Sequence, residues 1–430
     1  MAYISIFLLQ GVNYILAERG IRKINKFGAV IKQRIALFFM HLTAMMILSY
    51  NPLEQSFNIH ALLVLGAGFI FFLGISFLVD KIYKNSCPLI SNGVFFLMDV
   101  SLIMLFRLNP SLAERQLIWF FVGFMAMFFV RFALKIIPKF EKLEIVYYIV
   151  GLGLLVATSI LGTEEFGAQR WISIGFMTFQ PSELVKFLFV FYLASVFRKK
   201  LSVKQLIVPS VLSAIYVLVL TYQTDLGSAL IFFMTFAIMM YVATGREILF
   251  FGSLGALSIG SIIAHRIFNH VRIRVDIWRN PWADPFNTGH QIIQSLFAIG
   301  TWGFFGAGLA RGIPGTVPAM ARDSIFAAIC EEFGWGFGMG IIGVYMMIFY
   351  RGVHISLRAK RRYYSLLAVG FTALLAFQTF LIIGGTIKLI PLTGVTLPFI
   401  SYGGTSVLAS TLMIGIVQWV FIYYSGEVEG

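Results

Sequence analysis

Three carboxylates stand in or beside sequence that is otherwise apolar enough for a lipid bilayer. The stretch Ala321–Gly334 reads ARDSIFAAICEEFG and carries Asp323, Glu331 and Glu332. From Ser324 to Phe349 the residues are almost wholly apolar, so one helix is expected to begin near Ser324 and run into the membrane. Asp323 then sits at its mouth, where unpaired N–H groups and the helix dipole favour a carboxylate. It is either a plain helix cap or a carboxylate held at a cavity for chemistry. Glu331 and Glu332 fall about two turns deeper, and one of them must find a partner or hold a proton.

Ionisable groups inside membrane spans are costly and mark function by default. The others here are Asp99, Glu183, Lys186 and Asp225. Glu183 and Lys186 are three residues apart on one helix face, forming either a neutral pair at a helix entrance or part of a substrate site. Asp225, in QTDLG, caps a helix or lines a cavity. Asp99, in FFLMDVSLIM, is read as a helix–helix contact. Arg170, Arg266, Arg272, Arg274, Arg279, Arg311, Arg322 and Lys388 lie in connections that should face outward, against the usual charge bias. Single arginines there commonly snorkel to lipid phosphates. As a set on a cavity rim they suit a phosphate or pyrophosphate, and so an anionic amphiphile. Zinc-ligand spacing, a P-loop and a serine-triad motif are all missing.

The elements that must carry these residues are membrane helices. The 430-residue chain is 59% hydrophobic and 12% charged, with 45 Phe and a mean hydropathy of +0.87. A soluble domain carries about 25% charged residues. The apolar runs are continuous and helix-length, without β-barrel alternation. The net charge of +14 comes from short clusters between these runs, at Arg19–Arg34, Lys81–Lys84, Arg131–Lys142, Arg198–Lys204, Arg246 and Arg351–Arg362. Placing all six in the cytoplasm gives one alternating topology, so the basic excess is an orientation signal, helped by anionic lipid, and not a nucleic-acid surface. Crossings are expected near Ile35–Tyr50, Ala61–Val79, Val94–Leu108, Leu117–Val130, Ile145–Leu161, Glu183–Phe197, Leu206–Thr221, Leu226–Val242, Ile248–Ala264, Ile325–Phe349, Leu366–Ile383 and Thr405–Tyr424. Met1–Leu16 lacks the marks of a signal peptide and reads as a further crossing or an interfacial helix. Cys87, in an expected cytoplasmic loop, and Cys330, in a helix, lie at different depths and imply no disulfide.

Three connections are unusual: Gly162–Lys186, His265–Asp323 and Gly384–Gly404. Their aromatic and apolar content argues against disorder. Within His265–Asp323, the segments Ile292–Ile299 and Phe304–Leu309 are expected to form short helices. Irregular backbone at membrane depth is tolerated where it lines a cavity or is covered by protein. An outward-open cavity built from all three connections is therefore expected.

The motifs GAQRWISIGFMTFQPSELVKF, QTDLGSAL, DPFNTGHQIIQSLFAIGTWGFFGAGL, DSIFAAICEEFG and PLTGVTLPFISYGGTS, in that order, resemble those of the SEDS family (shape, elongation, division and sporulation), the FtsW/RodA/SpoVE group of peptidoglycan glycosyltransferases. The resemblance runs from about Val94 to Tyr424. It implies an all-α, ten-helix core that polymerises lipid II, an undecaprenyl-pyrophosphate disaccharide-peptide, at the outer face of the bacterial cytoplasmic membrane. It also implies a class B penicillin-binding protein as partner. The family's essential aspartate, in TDFIFA, falls on Asp323. The glutamate and lysine of FQPSE-x-x-K fall on Glu183 and Lys186, and the aspartate of QPDLG on Asp225. The same motifs imply substrate contacts at Arg170, Trp171, Gln180, Ser182, Gln291, Ser295, Arg322, Glu332, Ser401 and Tyr402. Asp323 would take the proton of the acceptor 4-hydroxyl, giving a β-1,4 link with inversion. Arg170, Arg322 or a divalent cation such as Mg2+ would stabilise the departing pyrophosphate.

The departures are local. TDFIFA reads RDSIFA here, with Arg322 for Thr and Ser324 for Phe, and Arg322 should favour the ionised form of Asp323. LPEAH reads VPAMA, and QPDLG reads QTDLG. Residues 1–91 add two or three crossings to a core at 92–430 and are read as a docking or regulatory bundle. A catalytically silent scaffold for a penicillin-binding protein, or a lipid II flippase, would use many of the same features. A transporter, however, has no special need of a carboxylate at the outer mouth.

Overall fold

The computed structural model describes residues 1–51, 55–136, 140–165, 168–174, 177–316 and 319–424, without the side chains of 51, 135, 163–165, 168–170, 173–174, 177–178 and 316. In chain order the elements are α1 (Ala2–Glu18), α2 (Lys26–Ser49), β1 (Tyr50–Asn51), β2 (Ser56–Phe57), α3 (Ile59–Ile82), α4 (Pro88–Leu108), α5 (Pro110–Ile136) and α6 (Glu144–Leu161). Then come β3 (Thr163–Glu165), β4 (Ala168–Ile174), β5 (Met177–Phe179), α7 (Pro181–Phe197), α8 (Ile207–Tyr222), α9 (Leu226–Thr244) and α10 (Glu247–Ile267). The chain closes with α11 (Asn269–Arg279), α12 (His290–Thr301), α13 (Ile325–Phe333), α14 (Trp335–Arg358), α15 (Arg362–Thr386) and α16 (Gly404–Tyr424).

Eleven of the described helices are long and apolar enough to cross a membrane. α1 and α7, at 17 residues each, are the helices at the expected Met1–Leu16 segment and the expected Glu183–Phe197 crossing, and both are shorter than those eleven. The chain is a multi-pass membrane helix bundle. α4 is buried along its whole apolar length, wrapped by α2, α3, α5 and α14. Between helices in lipid, close packing and polar contacts replace the hydrophobic drive. At the seam of α1 with α14, glycines let the neighbours in: a Cβ on Gly340 would fall 2.5 Å from Ile4. Asp99 makes the expected helix–helix contact. Its Oδ1 meets Nδ1 of His41 on α2, whose Nε2 lies 2.8 Å from the Leu65 carbonyl oxygen of α3.

The expected continuous helix from Ser324 to Phe349 is two helices. It breaks at Gly334, at φ 87° and ψ 158°, a region essentially reserved for glycine. Residues 303–308 run alongside the break. Ala307 and Gly308 N–H donate to the Glu331 and Glu332 carbonyls (2.8 Å each), while Trp335 and Gly336 N–H donate to Gly303 and Phe304 (3.3 Å each). Backbone groups freed by the break are thereby satisfied inside the bundle. Phe304–Leu309 is accordingly a turn, not the expected short helix, with Gly303, Gly306 and Gly308 all at positive φ. The helix expected at Ile292–Ile299 is present as α12, and α11 was not anticipated. Gly162–Lys186 folds into an antiparallel three-stranded sheet in the order β3-β4-β5 before entering α7. Cys87 is buried at the N-cap of α4, not in a solvated loop, and both cysteines are free.

A Cβ on Gly334 would stand 2.1 Å from the Phe304 carbonyl oxygen. Gly334→Ala is expected to lower the thermal unfolding midpoint of the solubilised protein, by about 1–3 kcal/mol of strain. Gly153→Ala, with open space around it, should not. Equal midpoints for the two variants would refute this account of the break.

Candidate functional site

Where α7, α9 and α13 begin, the three long connections enclose a cavity of about 880 Å³. The first supplies Trp171, Gln180 and Glu183. The second supplies Arg274, Gln291, Arg322 and Asp323, among others, and the third supplies Thr396 and Tyr402. Asp225 completes the lining from the start of α9. Nine of the residues singled out by sequence thus share one cavity: Trp171, Gln180, Glu183, Asp225, Arg274, Gln291, Arg322, Asp323 and Tyr402.

Asp323 lies in a tight turn whose backbone is held from two sides. Arg322 and Asp323 N–H donate to the Ala319 carbonyl at 3.0 and 3.1 Å. From the third connection, Ser401 Oγ donates to the Arg322 carbonyl at 2.6 Å and Tyr402 N–H to the Ala321 carbonyl at 2.8 Å. Thr386 Oγ1 on α15 reaches the Asp323 carbonyl at 3.4 Å. The N-cap position of α13 is Ser324, so Asp323 stands one residue ahead of the N-cap, on the cavity wall. Arg322 beside it lies over the Trp171 ring, 5.4 Å from its centroid. Arg274 also reaches the lining, with Nη1 donating to the Leu392 carbonyl at 3.2 Å.

Asp225 is both a helix cap and a lining residue. Its Oδ1 accepts from Ser228 N–H at 3.2 Å, capping α9, and it lines the cavity. Ser182 sits behind it, 3.5 Å from Oδ2, and accepts from Gln180 Nε2 at 3.1 Å. Lys186 is fully buried and reaches the cavity through others: Nζ donates to Glu183 Oε1 at 2.8 Å and to Gln378 Oε1 at 3.0 Å. Gln378 Nε2 in turn donates to the Thr396 carbonyl at 2.8 Å. Thus a polar chain crosses from α7 through α15 to the third connection. Sequence reading missed Gln378; the available signal was one amide inside the long apolar run of α15.

Ser295 and Ser401 also lie behind the lining. Ser295 Oγ is 3.4 Å from Ser324 Oγ, and Ser401 Oγ accepts from Leu397 N–H at 2.8 Å. Glu332 is not brought to the cavity, because nine helical residues carry it roughly 13 Å along the axis from Asp323. There it is fully buried, pairs with Arg107 Nε at 3.0 Å and accepts from Ala310 N–H at 2.5 Å. Glu331 accepts from Ile313 N–H at 2.6 Å. Arg107, at the end of α4, was not anticipated. The Arg170 side chain lies outside the described residues. No group of three or more His, Cys, Asp or Glu side chains among the described residues is arranged to hold a metal.

The fold and site define a multi-pass membrane helix bundle whose large cavity is lined by three carboxylates, Glu183, Asp225 and Asp323, and two guanidinium groups, Arg274 and Arg322. The chain belongs to the FtsW/RodA/SpoVE family of cell cycle proteins, whose family model matches residues 87–425. It is 34% identical to the peptidoglycan glycosyltransferase RodA of Mycobacterium tuberculosis over 360 residues, covering 77% of this chain and 76% of that one. It is likewise 34% identical to the stage V sporulation protein E of Bacillus subtilis, over 72% of this chain and 87% of that one. Among solved structures, a chain of a peptidoglycan synthase complex that coordinates polymerization and crosslinking superposes with a TM-score of 0.69 at 25% identity, covering 79% of this chain and 99% of that one. The rod shape determining protein RodA of Thermus thermophilus shares the fold at a TM-score of 0.58 and 23% identity, over 79% and 97% of the two chains. These matches identify a family of peptidoglycan glycosyltransferases.

Breaking one partner of a buried ion pair costs about 3–5 kcal/mol, whereas removing both is far milder. Lys186→Met and Glu183→Leu should each destabilise strongly, and the double variant by less than the sum of the two. Thermal unfolding of the four proteins in detergent checks this. Additive losses would mean that the pair does not act as one unit.

Proposed function

We propose that this chain polymerises lipid II into β-1,4 glycan strands, with Asp323 as general base. The observation that carries the reading is the shared wall: a carboxylate on a turn fixed from the second and third connections, flanked by Arg322 and Arg274, in a cavity large enough for a sugar-pyrophosphate. The acceptor 4-hydroxyl gives its proton to Asp323 while its oxygen attacks the anomeric carbon of the donor. The bond from that carbon to the pyrophosphate oxygen breaks, and undecaprenyl pyrophosphate leaves with the electron pair. Attack opposite an α-linked leaving group inverts the centre, so no covalent enzyme intermediate is needed. A polyprenyl pyrophosphate leaves readily but needs cationic stabilisation, and the guanidinium groups of Arg322 and Arg274 on the cavity lining supply it. The cation–π contact with Trp171 restrains the Arg322 guanidinium, which limits the reorganisation needed to meet the phosphates.

Mg2+ binds by preference through substrate phosphates with one or two carboxylates, not through an all-protein cage. Asp323 and Asp225 are the aspartates on the lining that would hold it, and it would add charge neutralisation at the leaving group. The basic clusters lie at the opposite helix ends from the cavity connections, which supports a cavity facing the outer side of the cytoplasmic membrane. Likeness to a chain of a peptidoglycan synthase complex supports a class B penicillin-binding protein as partner.

The test is strand formation from labelled lipid II by the purified protein, alone and with a class B penicillin-binding protein. Asp323→Ala, with unchanged thermal midpoint, is expected to lower polymer by at least about 10²-fold. Equal polymer from wild type and this variant would remove Asp323 as base. Absence of polymer with every partner would favour the scaffold, and translocation in vesicles the flippase.

A further inference from the structure

α12 and α13 pack against each other on the second connection. Two side-chain contacts between Gln291, Ser295 and Ser324 join them, and both converge on one oxygen. Gln291 Nε2 donates to Ser324 Oγ at 3.1 Å, and Ser295 Oγ lies 3.4 Å from the same atom. Ser324 is 1% exposed and absent from the cavity lining, whereas Gln291 lines the cavity together with Asp323. A serine at a helix N-cap ordinarily turns its oxygen back onto the N–H groups of its own first turn. Here the side chain makes no capping bond; its oxygen serves α12 instead. Ser295 reinforces the arrangement by donating to the Gln291 carbonyl at 2.8 Å. With the Gln291 amide nitrogen committed to Ser324, its carbonyl oxygen is directed away from that contact, since the two ends of a carboxamide diverge.

We propose that Ser324 is a positioning residue that sets Gln291 as a hydrogen-bond acceptor for the sugar portion of the substrate, through a hydroxyl or acetamido N–H. This rests on the glycosyltransferase reading for the identity of the ligand. It concerns a residue at which this chain departs from the motif it resembles, which carries Phe at that place. The mechanism is orientational: Ser324 touches no substrate, and without its oxygen the Gln291 amide is free to rotate or to turn its N–H groups into the cavity.

The test is a double-mutant cycle on the intact protein in nanodiscs: wild type, Ser324→Ala, Gln291→Leu and the combination. Binding of fluorescent lipid II and strand formation are read separately, and folding is followed by thermal midpoint. Ser324→Ala should weaken binding about tenfold, raise KM and leave kcat nearly unchanged, with a midpoint close to wild type because no cap is lost. The double variant should bind no worse than Gln291→Leu alone. If Ser324→Ala folds poorly, Ser324→Cys, a weaker acceptor of similar size, reads the same cycle. Wild-type affinity in the Ser324 variant, or losses that multiply in the double variant, would overturn the proposal. Non-coupled binding in a protein that still polymerises removes Ser324's role alone. Coupled binding without any polymer upholds that role and removes the glycosyltransferase reading.

Discussion

A charge inside a bilayer must be matched where it stands, and this requirement organises the protein more than any apolar contact does. Lipid tails are as apolar as leucine, so helices gain little by hiding apolar faces from them. An ionised group at the same depth has no such neutrality. Each buried charge therefore fixes the relative position of the elements that satisfy it. Lys186 ties α7 to α15 through Glu183 and Gln378. Glu332 ties α13 to α4 and to the turn near Ala310. Arg351 on α14 ties to α1 through Glu18 at 2.5 Å and to Cys87 Sγ at 3.1 Å. These links supply specificity of register more than net stability, since the desolvation of each partner offsets much of the attraction.

The same rule explains why the cavity lies where it does. Non-helical backbone at depth survives only if other backbone or side chains take its hydrogen bonds. Gly334 breaks what would otherwise be a single helix from Ser324 to Phe349, and the 303–308 turn takes up the freed groups. The break leaves α13 as a nine-residue helix, anchored at one end by Glu332 and held at the other by Ser401 and Tyr402, which bond the Arg322 and Ala321 carbonyls. Asp323 sits just ahead of the anchored end. A short helix fixed at both termini holds its first residues more tightly than the exposed end of a long one, where fraying is ordinary. A reactive carboxylate has most use for that rigidity.

The membrane-bundle architecture, the three irregular connections, the Glu183–Lys186 pair, the Asp99 contact and the gathering of Glu183, Asp225 and Asp323 at one cavity were legible in the sequence. Each depends on a local signal: apolar length, an i,i+3 spacing, or an ionisable group in an apolar run. The features that stayed hidden depend on tertiary partners. A glycine in an apolar helix reads as tolerable until Phe304 is known to lie against it, so the break at Gly334 was hidden. Phe304–Leu309 has helical apolarity, yet Gly306 and Gly308 within it and Gly303 just before it, all at positive φ, turn it into a loop. Glu332 belonged to the right motif but to the wrong end of α13, because motif proximity says nothing about axial distance. Arg107, His41 and Gln378 are single polar residues in long spans, and their roles appear only with their partners from other helices.

The family match begins at residue 87, yet nothing physical separates α1–α3 from the helices after them. Cys87 itself is gripped by α16, with Gln418 accepting from its N–H at 2.8 Å and donating to its carbonyl at 2.9 Å. On the other side, Asn92 Nδ2 donates to Gln33 at 3.1 Å and Asn92 Oδ1 accepts from Arg34 at 3.0 Å, while Asp99 meets His41. The polar groups on α4 and α14 that α1 and α2 satisfy would face lipid tails if the first three helices were absent. A core adapted to lipid on that face would carry apolar residues there. The start of the family match therefore marks no boundary in stability: α1–α3 are built into the bundle through buried polar contacts, and the α4 and α14 surface they cover is interior.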